Sequence, residues 1–161
     1  MINRRSPTAL NKYGHKVKCG DGYTFDSDKE HKFYHQFVKH CGYRFEVHPP
    51  YMLQELTQIP GTDKTKISAI SYKPDFVIYD EYGQMIHVYD VKNSFGPYGI
   101  DQGNKLRFRL FAARYSVPVE AVVILAHEFK TIVQGVTKPL NDKEPLHKID
   151  FNYSWIEATN Y

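Results

Sequence analysis

Cysteine is scarce in this chain of 161 residues: there are two, Cys19 and Cys41. They form no CxxC pair, and a disulfide framework needs more of them, which excludes a disulfide-stapled secreted scaffold and points to a reduced, cytoplasmic protein. No stretch approaches the length of apolar chain that a membrane span needs, so no membrane partner is expected. Behind the basic start, Met1 to Pro7, there is no apolar segment of the kind a secretory signal carries. Internal repeats and low-complexity segments are also missing. Charge of one sign does not dominate, since the formal net charge is only +3.

That charge is unevenly spread. The first twenty residues hold Arg4, Arg5, Lys12, Lys16 and Lys18 with no acid, and Lys92 to Arg114 holds Lys92, Lys105, Arg107, Arg109 and Arg114 against Asp101 alone. Basic segments on a near-neutral chain suit a polyanionic partner, although chance clustering on a solvated surface gives the same count. The length suits one domain over 1–161, with a polar basic arm over 1–23 and an irregular C-terminal extension over 137–161.

The chain is organised around Tyr72 to Lys92. Two apolar runs, Phe76 to Tyr79 and Met85 to Val91, flank Asp80-Glu81-Tyr82-Gly83 and predict a β-hairpin. The period of two in the second strand puts Asp90 and Lys92 on the face of Ile86 and Val88. An even offset across the turn sets Asp75 opposite Asp90 or diagonal to it. Carboxylates brought together need a compensating positive charge, and a divalent cation is the natural one.

Upstream, Ser27 and Glu30 have capping-box spacing, and Phe33, Phe37 and Cys41 follow at four-residue steps, predicting a helix from about Ser27 to His40. Glu30 lies near its inward stripe, where a capping role alone would also explain it. Tyr43 to Val47 reads as a strand, and Tyr51 to Tyr72 as further extended chain around Pro60-Gly61. Asn104 to Tyr115 reads as a helix with Leu106, Leu110 and Ala113 on one face and Lys105 and Arg109 in another row. Val117 to Ala126, nearly all apolar, reads as a strand buried on both faces, completing a parallel βαβ unit. His31 and His35 have helical metal-ligand spacing, but no HExxH and no third ligand accompany them.

Glu30, Asp75, Asp90 and Lys92 thus form a set of oxygen donors with one ammonium. Such donors suit Mg²⁺ or Mn²⁺ and a substrate phosphate, and the reaction class they assemble is phosphodiester hydrolysis. Basic residues Lys12, Lys16, Lys73, Lys105, Arg107 and Arg109 are candidates for the flanking phosphates.

Pro74-Asp75 followed by Asp90-Val91-Lys92 matches the PD-(D/E)XK nuclease signature at hairpin spacing. Together with Asn11-Lys12-Tyr13-Gly14, Gly22 to Glu30, Tyr72 to Phe76 and the stretch Lys105 to Phe111, it resembles the phage-encoded Holliday-junction-resolvase-like endonucleases of that superfamily. The resemblance covers roughly residues 11 to 125. It implies a restriction-endonuclease-like α/β core, a central mixed sheet flanked by helices, in a Mg²⁺- or Mn²⁺-dependent endonuclease acting as a homodimer on branched DNA in the cytoplasm, that of the bacterial host if phage-encoded. It further implies Glu30 as the helix-borne acid, Asp75 as bridging ligand, Asp90 as second strand ligand, the Val91 backbone carbonyl as a further ligand and Lys92 as the catalytic lysine. Aspartate at position 90 replaces the commoner glutamate, and the long gap from Glu30 to Asp75 implies an extra hairpin over Tyr51 to Tyr72. The alternatives are a nicking, end-processing or restriction-type nuclease, or a non-catalytic DNA-binding or host-interaction protein on the same fold.

Overall fold

In a computed structural model of the protein, residues 15–136 and 144–160 are described, the last two by backbone alone. Lys12 and the greater part of the expected arm therefore lie outside the described residues, as do 137–143 and 161 of the expected extension. The fold is mixed α/β with a central mixed sheet and few helices.

The hairpin predicted around Tyr72 to Lys92 is the middle of that sheet. Strands β8 (Phe76–Tyr79) and β9 (Met85–Val91) pair antiparallel. The Asp80 carboxylate accepts the Tyr82 and Gln84 N–H groups, and Gly83 supplies the positive φ of 80° that closes the turn. On the other side of β8 lies β3 (Arg44–Val47), antiparallel to it. Beyond β9 the chain crosses through helix α2 (Gln102–Tyr115) to β10 (Val119–Ile124), parallel to β9, giving the expected βαβ unit. Strand β11 (Phe129–Gln134) adds antiparallel to β10.

The remaining chain decorates this sheet. A two-strand ribbon, β1 (Val17–Lys18) with β2 (Thr24–Phe25), forms where irregular chain was expected. The excursion between β3 and β8 is a hairpin in two pieces: β4 (Tyr51–Gln54) pairs with β7 (Ile70–Tyr72), and β5 (Thr57–Gln58) with β6 (Lys66–Ile67). The C-terminal segment is more regular than its sequence suggested. Strands β12 (Leu146–Lys148) and β13 (Thr159–Asn160) both pair with β11, closing the sheet's far edge.

Two aromatic-rich cores flank the sheet. One joins Phe33, Tyr34 and Val38 to Phe76, Ile78, Tyr89 and Phe129; the other joins Phe108 and Phe111 to Tyr72, Val77, Val88 and Val119. Helix α1 (Asp28–Phe33) continues into a π-helical turn over Tyr34–Val38. The wider turn adds Tyr34 and Val38 to the buried stripe, while the predicted steps through Phe33, Phe37 and Cys41 all face the core, the last two partly buried.

Three expected faces differ. In α2 the buried residues are Phe108 and Phe111, whose rings pack on Tyr72, and Leu110 is partly buried beside them, whereas Leu106 and Ala113 are exposed. Lys105 is half-buried and Arg109 exposed, so their row does not form one solvent face. In β9 the pairing shifts between Ile78 and Tyr79, a bulge that turns Ile86 toward the α1 core while Val88 faces the α2 core.

Candidate active site

The bulge leaves the C-terminal half of β9 in register, and the acids sit there. Asp75, at the head of β8, donates its N–H to the Tyr89 carbonyl (3.0 Å), and its Oδ2 accepts the Val91 N–H (2.6 Å). Asp90 is buried; its Oδ2 accepts from the Tyr72 hydroxyl at 2.6 Å, and its Oδ1 lies 2.5 Å from Lys92 Nζ. Lys92 is itself tied down, its N–H donating to the Val122 carbonyl (2.7 Å) and its ammonium lying 5.9 Å from the Phe108 ring centroid.

Glu30 reaches the same region from α1. Ser27 caps that helix by accepting the Glu30 N–H, while its hydroxyl donates to Glu30 Oε1 (2.8 Å) and the Asp26 N–H donates to Oε2 (2.9 Å). The carboxylate therefore serves the helix start and is buried at the same time. His48 joins it to the strands: Nε2 lies 3.1 Å from Glu30 Oε2 and 3.8 Å from Asp75 Oδ1. Its backbone has φ of 50°, uncommon for a residue with a side chain and more so before proline, and its N–H donates to the Asp75 carbonyl (3.1 Å). Local strain at a site-facing residue of this kind persists only when the surroundings hold it.

Electrostatics follow from the crowding. Burial, then the Asp90 and Glu30 charges, push Asp75 well above the ordinary carboxylate range, and the Val91 N–H and Lys92 only partly oppose this. Glu30 is shifted the other way: burial pushes it up, but His48, the Asp26 N–H and the Ser27 hydroxyl together outweigh burial. Burial and Asp90 raise Tyr72 well above its usual value, so it remains a hydrogen-bond donor.

Glu30, Asp75, Asp90 and Lys92 therefore converge at one end of the sheet. Val91 belongs to the same cluster through its N–H. A cleft of about 230 Å³ opens on Asp75 and His48 and is lined also by Lys16, Thr24, Asp26 and Lys73. A larger concavity, about 710 Å³, lies at the turn end of the hairpin around Asp80 to Gly83, away from these acids. Of the basic residues proposed for phosphates, Lys16 and Lys73 line the cleft, and Arg107 is close enough to lower the Tyr72 pKa. The Arg109 backbone packs on Gly135, where an added side chain would meet it at about 3 Å. Gly135 follows Gln134, which pairs with Val119, whereas Asp90 pairs with Ala121 further along β10.

Three carboxylates, one of them held reluctant to ionise by burial and then by the other two, fit a hard divalent cation, whose charge would relieve that repulsion. In this conformation Lys92 supplies part of the compensation, and His48 bridges Glu30 and Asp75. Among the described residues, the carboxylate-containing group whose donor atoms lie within 4.8 Å of one another is Asp26, Glu30 and His48. Oxygens of Glu30, Asp75 and Asp90 are not all drawn that close together.

Residues 10–130 match the family described as protein of unknown function (DUF1064). The chain belongs to the DUF1064 family. No curated protein and no solved structure matches it. The DUF1064 match contains Glu30, His48, Asp75, Asp90 and Lys92, and ends inside β11, leaving the C-terminal edge strands outside.

Two residues of this DUF1064 site escaped the sequence reading. Tyr72 stands three positions before Asp75 in the quoted motif, and its link to Asp90 depends on β7 folding over the hairpin. His48 is visible only as His-Pro-Pro after a strand; a histidine ahead of two prolines at a strand end was the available signal.

Proposed function

We propose that this chain is a metal-dependent DNA endonuclease on a restriction-endonuclease-like core, hydrolysing phosphodiester bonds in branched DNA as a homodimer. The observation that carries the proposal is the convergence of Glu30, Asp75, Asp90 and Lys92 beside a lysine-rimmed cleft, with Asp75 driven up by burial and by its acidic neighbours. The resemblance to resolvase-like nucleases supports the branched substrate and the dimer. The order α1, β3, β8, β9, α2, β10, with the acid-bearing helix ahead of the hairpin, is compatible with that core.

Glu30, Asp75 and Asp90, with the Val91 carbonyl, would hold Mg²⁺ or Mn²⁺, which when bound acidifies a water and neutralises charge on the phosphate. Tyr72 fixes the Asp90 carboxylate from below. Lys92, next to Asp90, offers N–H groups to a phosphate oxygen as negative charge grows there. His48, between Glu30 and Asp75, can accept the proton lost by the attacking oxygen. Lys16 and Lys73 hold the flanking backbone by charge.

Cleavage of a labelled four-way junction beside matching linear duplex, with Mg²⁺, Mn²⁺ or chelator, tests this for the native chain and Asp90→Ala. Paired symmetric cuts confined to the junction, abolished by chelator and by the substitution, are expected. Equal cutting of both substrates would retain the nuclease and reject the branch preference. DNA binding without cutting would reject catalysis.

A further inference from the structure

On the outer side of α1, away from the acids, His31 and His35 acquire the third donor that their sequence neighbourhood did not show. The Gly22 turn, with its φ of 91°, folds β1 back so that Cys19 ends beside the helix. Donor atoms of Cys19, His31 and His35 all lie within 4.8 Å of one another. The two imidazoles meet edge to face with centroids 4.6 Å apart.

We propose that Cys19, His31 and His35 form a second metal site, for a borderline d-block cation of the Zn²⁺ type, whatever the acids do. The donor chemistry differs from that of the acidic cluster: one sulfur and two imidazoles select Zn²⁺ or Co²⁺ over Mg²⁺. The spacing also fits. A tetrahedral ion with Zn–S about 2.3 Å and Zn–N about 2.0–2.1 Å sets sulfur and nitrogen about 3.5 Å apart. Cys19 Sγ and His35 Nε2 are 3.5 Å apart.

The neighbouring carboxylate, Asp21, accepts from Tyr34 (3.0 Å), pairs with Lys39 (2.7 Å) and takes a long contact from the Cys19 thiol (3.7 Å), which metal binding would replace. Three protein ligands leave the fourth position to water. All three donors are at least partly exposed, so an ion has access. Binding exchanges the Cys19 thiol proton, released to solvent, for the metal–sulfur bond. Its structural effect is to staple the β1–β2 ribbon to the helix that carries Glu30. That ribbon makes only two paired positions of its own, so it has much to gain from a clip.

Titration of the metal-free full chain with Co²⁺, followed by absorbance, tests the site without reference to nuclease activity. A thiolate-to-cobalt charge-transfer band and tetrahedral d–d bands at one equivalent, displaced by Zn²⁺ but not by Mg²⁺, are expected. Cys19→Ser should remove the charge-transfer band, Cys41→Ser should keep it, and His35→Ala or His31→Ala should weaken affinity at least about tenfold. Circular dichroism of each variant distinguishes lost ligation from lost fold. Absence of the band in the folded native chain, or a band indifferent to both histidines, would overturn the proposal.

Discussion

The Tyr72 hydroxyl donates to Asp90 Oδ2 over 2.6 Å, and neither group is more than 6% exposed. A charge-assisted hydrogen bond in such a place sets the carboxylate's direction as well as its energy. Tyr72→Phe should cost about 1.5–3 kcal/mol of stability, the range for hydrogen bonds to charged groups. Urea unfolding measures that cost. In the proposed nuclease the same variant should slow single-turnover cleavage while Mg²⁺ still restores activity, because Asp90 remains but is less well aimed.

Asp75 gives the fold a pH dependence of unusual sign for a carboxylate. Its pKa is raised above the ordinary 3.8, so the folded state holds this proton more tightly than the unfolded chain. Its contribution is therefore full below about pH 3.8 and is lost as pH rises through the raised folded value. Without divalent cations, Asp75→Asn should melt above the native chain at neutral pH, and the gap should close as pH falls toward the ordinary carboxylate range. Adding Mg²⁺ should raise the melting temperature of the native chain and leave the variant nearly unmoved. Melting curves in chelator and in Mg²⁺ across pH give both comparisons.

Glu30 carries two roles that substitution can separate. Ser27→Ala removes the cap and should cost about 0.5–2 kcal/mol, with cleavage largely kept. Glu30→Gln keeps one oxygen to accept from the Ser27 hydroxyl or the Asp26 N–H, and loses the second acceptor and the negative charge beside Asp75. It should lower cleavage at least about a hundredfold, as for loss of a charge-stabilising group. Paired measurements of chemical denaturation and single-turnover rate decide whether the two effects part company.

How far the sequence foretold this arrangement depends on the range of the interaction. Phe76 to Tyr79 and Met85 to Val91 were legible because an apolar run, a turn with Asp80 and Gly83, and a second run are local signals. Asp75, Asp90 and Lys92 followed from strand alternation over a few residues. Ile86 did not, since one bulge reverses the alternation and nothing in its own residues announces it. Leu106, Leu110 and Ala113 were set on one face by spacing alone, but of these only Leu110 packs on the core, where Phe108 and Phe111 hold the buried positions. His48 and Cys19 lie beyond local pattern altogether. One is aimed by a positive φ and the other by a ribbon turn, and each meets partners from another part of the fold.

The C-terminal edge depends on a residue that its strand's composition hid. Glu120 sits in the nearly all-apolar β10, fully buried, with Oε2 2.6 Å from His87 Nδ1. Its other oxygen accepts from Tyr153 (2.6 Å) and Thr131 (3.3 Å), while His87 Nε2 faces the Phe151 carbonyl at 3.0 Å. Tyr153 also meets the Tyr89 hydroxyl at 2.7 Å. This network ties residues 151 and 153, beyond the family match, to the two central strands β9 and β10. Removing one partner strands the other without water, and breaking a buried pair of this kind costs about 3–5 kcal/mol. His87→Ala should therefore destabilise the chain by that amount, and Glu120→Gln by less, because an amide oxygen can still accept from Tyr153. In both variants hydrogen exchange should quicken first in residues 144–160 and along β11, while the amides of β8 and the Asp90 end of β9 keep their protection. Loss of protection beginning instead at the hairpin would mean that the edge strands hold on without this network.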